Sequence, residues 1–146
     1  MNKGAMVGLD PGRSKCGLVL TDPTRRTVAI ALVLPPEQAM EALERWIESG
    51  VGALVLGNGT GSEGWRRRLE PHLPVLLVEE RGSTLAARQR YWHLEPARGW
   101  RRLLPRGLRL PPREIDDVVA QLLLERWLGH PLHRDGSTQL RTMPGR

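Results

Sequence analysis

The chain contains one cysteine and no long apolar segment, and both absences restrict what it can be. Cys16 has no partner for an internal disulfide, so a disulfide framework is excluded and a reducing compartment is expected. We interpret Cys16 as a small residue of a buried strand. Nowhere do about 18 apolar residues follow one another, and residues 1–10 hold no run long enough for a signal peptide. We therefore expect a cytoplasmic protein without a membrane partner.

Internal repeats and zinc-type spacings are absent as well. The four histidines have no spacing, with one another or with the cysteine, that fits a zinc site. A chain of 146 residues with 40% hydrophobic content is expected to form one domain. Lysine and arginine number 22 against 16 aspartates and glutamates, a formal net charge of +6. This excess favours a polyanionic partner such as nucleic acid, although a simply solvated basic surface is equally compatible with it.

Five apolar runs predict the strands of a mixed sheet. The runs at residues 5–9, 16–20 and 28–34 are joined by short turn-forming segments, which is typical of an antiparallel meander. The runs at 53–56 and 75–78 are continuous rather than alternating, as expected of parallel strands buried on both faces and joined by a crossover helix through 65–69. The fold class predicted from these patterns is α/β, with three antiparallel strands followed by two parallel ones.

Helical patterns occupy the remainder of a predicted domain at residues 1–128. Pro36 opens a helix that Gly50 stops, and Ser83 or Thr84 could cap another that ends near residue 92. Pro112 is predicted to start the last helix, whose apolar residues recur at helical spacing until Gly129. Residues 95–111 are rich in arginine and tryptophan, and residues 129–146 are expected to form a flexible tail without regular structure.

Carboxylates stand at or next to one end of three of these elements. Asp10 ends the first strand, Glu79 and Glu80 follow the strand at 75–78, and Asp116 and Asp117 begin the last helix. Each has an ordinary explanation: an Asx-type turn, a surface charge cluster, or complementation of a helix dipole. Together they predict one metal site, because carboxylates that meet at a sheet edge need a divalent cation to offset their repulsion.

A glycine-rich loop could hold a phosphate near these carboxylates. Residues 56–62 end a strand and open a helix, and Asn58, Thr60 and Ser62 offer polar groups suited to a phosphate. A flexible glycine linker is the alternative. Trp92 and Trp100 could stack on unpaired bases, but such tryptophans are more often core or interface residues.

These motifs, taken in order, resemble the YqgF family, also called RuvX, of the ribonuclease H-like superfamily. Its members are regarded as Holliday junction resolvases and are implicated in maturation of the small-subunit ribosomal RNA precursor. The resemblance rests on Leu9-Asp10-Pro11-Gly12, on residues 78–84, which match the family's D-E-R-x-[ST]-T segment, and on residues 115–120 of the last helix. It covers residues 5–128 and implies a ribonuclease H-like fold.

The resemblance also implies a metal-dependent endonuclease acting on structured nucleic acid, either in pre-16S rRNA processing or in Holliday junction resolution. The implied catalytic residues are Asp10, Glu80 and Asp116, which would bind Mg²⁺ (or Mn²⁺), with Asp117 as an alternate ligand. The residues expected to contact nucleic acid are Arg13, Lys15, Asn58, Thr60, Ser62, Arg81, Ser83 and Thr84. A homodimer is implied as well, because resolvases of this fold cut two symmetric strands.

Three departures from the family pattern mark a divergent member. Lys15 stands where members usually have arginine, Glu79 replaces the usual aspartate, and residues 56–59 replace a Gly-Leu-Pro element. The alternatives are a non-catalytic nucleic-acid-binding or ribosome-associated module of the same fold and an ATPase of the actin and sugar-kinase superfamily. The ATPase is disfavoured because such enzymes need two related domains, for which this chain is too short.

Overall fold

The computed structural model describes residues 4–142, which form a six-stranded mixed sheet flanked by helices. The strands are β1 (Met6–Asp10), β2 (Cys16–Thr21), β3 (Val28–Leu34), β4 (Ala53–Gly57), β5 (Val75–Val78) and β6 (Gln139–Arg141). Their order across the sheet is β5-β4-β1-β2-β3-β6. The β1–β2 and β2–β3 pairs are antiparallel, and the β1–β4 and β4–β5 pairs are parallel. The predicted α/β class with a mixed sheet is confirmed, and β6 is an additional strand.

Within residues 4–142, four α-helices connect and cover the strands: α1 (Pro36–Glu48), α2 (Ser62–Leu69), α3 (Ser83–Leu94) and α4 (Asp116–Leu128). Two short 3₁₀ helices, Gly99–Leu103 and Arg106–Leu108, lie between α3 and α4. No helix in the described part of the chain is long and apolar enough to span a bilayer.

Two predicted helix starts were wrong. The last helix begins at Asp116 rather than at Pro112, so the acidic pair occupies its first turn. Helix α3 has Gly82 as its N-cap, in the left-handed conformation with φ of 72°, and neither Ser83 nor Thr84 caps it. Glycine adopts this conformation without the steric cost that a side chain adds. Gly129 caps the end of α4 as predicted, again with a positive φ.

The sheet separates two hydrophobic cores. One core packs α1 and α2 against one face through residues such as Val7, Leu43 and Leu69, and the other packs α3 and α4 against the opposite face. Helix α4 lies directly on β1 and β2, because Gly8 and Gly17 leave room for it. A Cβ atom at Gly8 would lie 2.6 Å from the Ala120 carbonyl oxygen, and one at Gly17 would overlap the Asp116 carbonyl. Gly17 pairs with Asp10, so the close approach there brings the start of α4 next to the end of β1.

The described part of the predicted tail is packed against the domain, which differs from the expectation of an unstructured segment. Strand β6 runs parallel to β3, and the Val28 amide donates a hydrogen bond to the His133 carbonyl at 2.8 Å. Leu132 is 3% exposed and belongs to the core under α4. The anchoring comes from one buried leucine and a few polar contacts, which a polar, proline-containing composition does not reveal. The rest of the predicted tail, residues 143–146, lies outside the described residues.

Candidate metal and nucleic-acid site

Three elements bring Asp10, Glu80 and Asp116 to one edge of the sheet. Asp10 is the last residue of β1 and pairs with Gly17 of β2, which in turn packs against the backbone of Asp116. Glu80 follows β5, the parallel strand two places from β1. The carboxyl ends of parallel strands share an edge, where open α/β sheets bind ligands.

Glycines of the loop after β4 make space for the Glu80 side chain. A Cβ atom at Gly57 would lie 2.6 Å from Oε2 of Glu80, and one at Gly59 would overlap Oε1. The Glu80 amide donates a hydrogen bond to Oδ1 of Asn58 at 3.3 Å. The glycine-rich loop therefore cradles a carboxylate, a role that its sequence did not indicate.

The electrostatics of Asp10 and Asp116 are those of crowded, desolvated acids. Burial, followed by the charges of Asp116 and Glu80, raises the pKa of Asp10 to about 7, against a partial opposing effect of the Lys15 ammonium. Burial also raises the pKa of Asp116 to about 6, although the nearby Lys15 lowers it. A cation bound between these groups would offset the charges of Asp116 and Glu80, which add to burial in raising the pKa of Asp10.

The carboxylate oxygens of Asp10, Glu80 and Asp116 are ligands of the kind that a hard divalent ion binds. In their present positions, however, these side chains do not surround an ion. Oδ2 of Asp116 is buried and accepts no hydrogen bond from the described residues. Its nearest cation is Nζ of Lys15, at 3.9 Å. Among residues 4–142, no three histidine, cysteine, aspartate or glutamate side chains are grouped closely enough to hold a metal ion. Binding an ion would therefore require side-chain movement within this group of acids.

Asp117 occupies a different environment from Asp116. Its side chain is fully buried, and its two oxygens face Nη1 of Arg113 at 2.8 Å and Nη1 of Arg134 at 2.9 Å. A metal ion there would have to displace two guanidinium groups. We therefore assign Asp117 a structural role rather than the alternate metal-ligand role predicted for it.

The residues predicted to contact nucleic acid divide into exposed and enclosed groups. The exposed or partly exposed ones are Arg13, Asn58, Thr60, Ser62, Arg81 and Thr84. Lys15 is partly buried, and its Nζ is hydrogen-bonded to the Glu114 carboxylate. Ser83 is 4% exposed, so its side chain is not available at the surface for the predicted contact.

Sequence reasoning missed two residues that organise the site. Glu114 holds Lys15 across 99 positions of sequence, and no local pattern signals that pairing. Arg126 on α4 donates hydrogen bonds to the carbonyls of Glu79 at 2.6 Å and Arg81 at 3.0 Å. These bonds tie the loop that carries Glu80 to the helix that carries Asp116.

Comparisons with known proteins extend these observations. No family model matches the chain. A ROK hexokinase from Thermus thermophilus is similar over 58% of this chain and 38% of that one, with 24% identity and a TM-score of 0.39, too low to support an argument.

Curated relatives align over most of the chain. A protein of Pelotomaculum thermopropionicum named "Putative pre-16S rRNA nuclease" is 31% identical over 152 aligned residues, covering 90% of this chain and 92% of the relative. Proteins of the same name from Caulobacter vibrioides and Xylella fastidiosa are 38% and 29% identical. The former alignment covers 56% of this chain and 64% of the relative, and the latter covers 88% and 90%. By this nearly full-length similarity, and by the motifs at Asp10, Glu80 and Asp116, the chain belongs to the YqgF/RuvX family.

Proposed function

We propose that this protein is a metal-dependent endonuclease that cleaves phosphodiester bonds in the precursor of 16S ribosomal RNA. The observation that carries the proposal is the meeting of Asp10, Glu80 and Asp116 at one sheet edge, where burial and mutual repulsion raise the pKa of Asp10 to about 7. The names of the relatives support the substrate class.

The carboxylates of Asp10, Glu80 and Asp116 would hold Mg²⁺ (or Mn²⁺). When bound, the ion would orient a water for in-line attack and stabilise charge on the leaving 3′ oxygen. Lys15 pairs with Glu114 and lies near Asp116, so it partly offsets the acidic charge before an ion binds. Arg13 and Arg81 are exposed, and they would bind phosphates flanking the cleaved bond. RNA affinity should therefore fall with rising salt, through counterion release.

The test compares the purified protein with its Asp10→Asn variant in Mg²⁺, Mn²⁺ or EDTA. The substrates are a labelled precursor rRNA fragment and a four-way DNA junction. We expect metal-dependent cutting of the RNA that is lost in the variant, and stabilisation of the wild type but not of the variant by Mg²⁺ in a thermal melt. Asp135→Asn, at an exposed acid in the turn before β6, is the matched control and should cut normally.

Other outcomes would redirect the assignment. Cutting of the junction alone would make the protein a resolvase, and full activity of Asp10→Asn would exclude the metal mechanism. A non-catalytic binding module is the second candidate, and it is favoured by the lack of a ready-made metal cage among residues 4–142. Binding of RNA without cutting, by both proteins and in every metal, would select that candidate.

We further propose that the protein is a homodimer, as the family resemblance implies, and that it is cytoplasmic, as the sequence composition indicates. Sedimentation of the purified protein tests the first, and fractionation of cells that express a tagged chain tests the second.

A further inference from the structure

A cavity of about 500 Å³ lies between α3 and the segment that follows it, outside the carboxylate site. Its volume falls within the range of about 300–1,000 Å³ that is typical of small-molecule sites. The residues that give it chemical character are Arg88, Trp92, His93, Arg102 and Arg109. No carboxylate is among its lining residues, so the charged side chains that line the cavity are all positive.

One face of α3 supplies half of this cavity. Leu85, Arg88, Gln89 and Trp92 recur at intervals of three and four residues and so share one side of the helix. The opposite side buries Ala87 and Tyr91 in the core with α4. Trp92 packs against that core and against the Tyr91 ring, whereas Leu85 and Gln89 on the same side are exposed.

Hydrogen bonds hold the other wall in place. The Trp92 indole nitrogen donates to the Arg109 carbonyl at 3.3 Å. The Arg109 guanidinium donates to the carbonyls of Leu104 at 2.9 Å and Arg102 at 3.1 Å. Arg109 thus organises the wall, and its charge remains at the cavity.

Two of the arginines that line the cavity have no partner of their own among the described residues. Within the described ranges, the side chains of Arg88 and Arg102 make no ion pair or hydrogen bond. Neighbouring arginines do have partners: Arg90 pairs with Glu125 at 2.7 Å, and Arg113 pairs with Glu95 at 2.6 Å. Free guanidinium groups beside a tryptophan match a ligand that carries both a phosphate and an aromatic ring.

We propose that this cavity is a subsite for one unpaired nucleotide of single-stranded nucleic acid. Its base would pack on Trp92, and its phosphate would bind Arg88 and Arg102. Trp100, two residues before Arg102 in the sequence, is 64% exposed; the Arg101 guanidinium lies 4.9 Å from its ring centroid, and the exposed ring offers a further stacking surface. The inference rests on the proposed function, because it places part of the nuclease's substrate on the α3 side of the sheet.

The test measures binding in EDTA, so that no cleavage occurs. The probes are a fluorescently labelled single-stranded RNA, the DNA of the same sequence, and the same RNA annealed into a duplex. The variant is Arg88→Ala with Arg102→Ala. Its control is Arg45→Ala with Arg68→Ala, which removes equal charge from exposed positions on helices of the opposite sheet face. Circular dichroism melts establish that each variant is folded.

We expect the Arg88/Arg102 variant to bind single-stranded RNA about tenfold more weakly and with a shallower salt dependence, whereas the control and duplex binding change little. An equal loss for DNA would show that the subsite reads base and phosphate alone, and a loss confined to RNA would show that the ribose hydroxyl contributes. Unchanged single-strand affinity would overturn the proposal, as would an equal loss in the control. A change in sedimentation without a change in RNA affinity would overturn it too, and would assign the cavity to self-association.

Cleavage assays with Mg²⁺ separate this inference from the proposed function. If the wild type cuts RNA and the Arg88/Arg102 variant binds as tightly as the wild type, the subsite fails and the nuclease stands. If the wild type never cuts but the variant loses single-strand affinity in EDTA, the subsite stands and the nuclease fails.

Discussion

Gly59 is the residue that most directly limits the geometry of the candidate site. Any Cβ at this position would overlap the carboxylate of Glu80, and the residue does not adopt a positive φ that would by itself require glycine. The need for glycine is therefore set by the neighbouring side chain rather than by the backbone. A flexible glutamate end can move aside, so the fold should tolerate alanine.

We predict that Gly59→Ala reduces metal-dependent cleavage at least tenfold while the free energy of unfolding changes by less than about 1 kcal/mol. Gly64→Ala is the matched control, since a Cβ at Gly64 in α2 meets nothing within 4 Å. Cleavage rates and urea unfolding of both variants provide the measurement. Full activity in Gly59→Ala would mean that the position of Glu80 seen here is not needed for the reaction.

Substitutions of the adjacent acids Asp116 and Asp117 should have different effects, a loss of cleavage activity at Asp116 and a loss of stability at Asp117. Asp117→Asn leaves Arg113 and Arg134, each only 11% exposed, without their buried counter-charge. We expect the free energy of unfolding to fall by about 3 kcal/mol, while the folded fraction keeps its cleavage activity. Asp116→Asn should lose activity without losing stability, because burial already disfavours its ionised form and raises its pKa to about 6. Equal losses of stability in both variants, measured by urea unfolding, would contradict this division.

At the scale of elements, the turn between β2 and β3 depends on one carboxylate. Asp22 accepts hydrogen bonds from the amides of Arg26 at 2.9 Å and Thr27 at 2.8 Å, and also from Thr24. Slight burial raises the pKa of Asp22, but these hydrogen bonds outweigh it and lower the pKa to about 2. The ionised carboxylate is what closes the turn.

The pH dependence of Asp22→Ala should follow from that lowered pKa. The folded state favours the ionised form, so the stabilisation is present above the unfolded pKa near 3.8 and is lost as the pH falls through about 2. We expect the variant to be less stable than the wild type by about 1 kcal/mol at pH 7, a modest figure because the turn is solvent-screened. The difference should disappear near pH 2 in urea unfolding. A difference that is constant over this pH range would show that packing, not charge, explains the effect.

For the molecule as a whole, residues 129–142 complete the domain rather than trail from it. Leu132 lies in the core, Arg134 reaches Asp117, and β6 extends the sheet beside β3. The Leu132 amide also donates a hydrogen bond to Glu125 of α4 at 2.8 Å.

A chain ending at Gly129 should therefore be less stable than the full chain, by about 3 kcal/mol or more, because it loses a buried leucine and uncovers a buried acid. Urea unfolding of the two chains measures this. Leu140→Ser serves as the control, since this β6 side chain is 46% exposed and its replacement should have little effect. An unchanged unfolding midpoint for the shortened chain would show that the segment only covers the surface.

Local patterns in the sequence were sufficient for the first five strands, in their order along the chain, and for the α/β class. Hydrophobic periodicity and turn residues act over a few neighbouring positions, and each acid stands at or next to one end of a strand or helix. The structure corrected the start of α4 by four residues, from Pro112 to Asp116, and added β6. Helix boundaries and edge strands depend on packing against residues that are distant in the sequence, and the local hydrophobic periodicity carries no information about that packing.

The sequence by itself determined which residue types stand at the ends of which elements, and hence that carboxylates and basic groups share one domain. Only the tertiary structure decided that Asp116 belongs to the acidic site and Asp117 to a pair of buried arginines, and that Glu114 holds Lys15 from 99 positions away. It also decided that the arginine- and tryptophan-rich segment closes a cavity over α3. The reason is physical: two adjacent residues on a helix point about 100° apart, so Asp116 and Asp117 meet different surroundings although they are neighbours in the sequence.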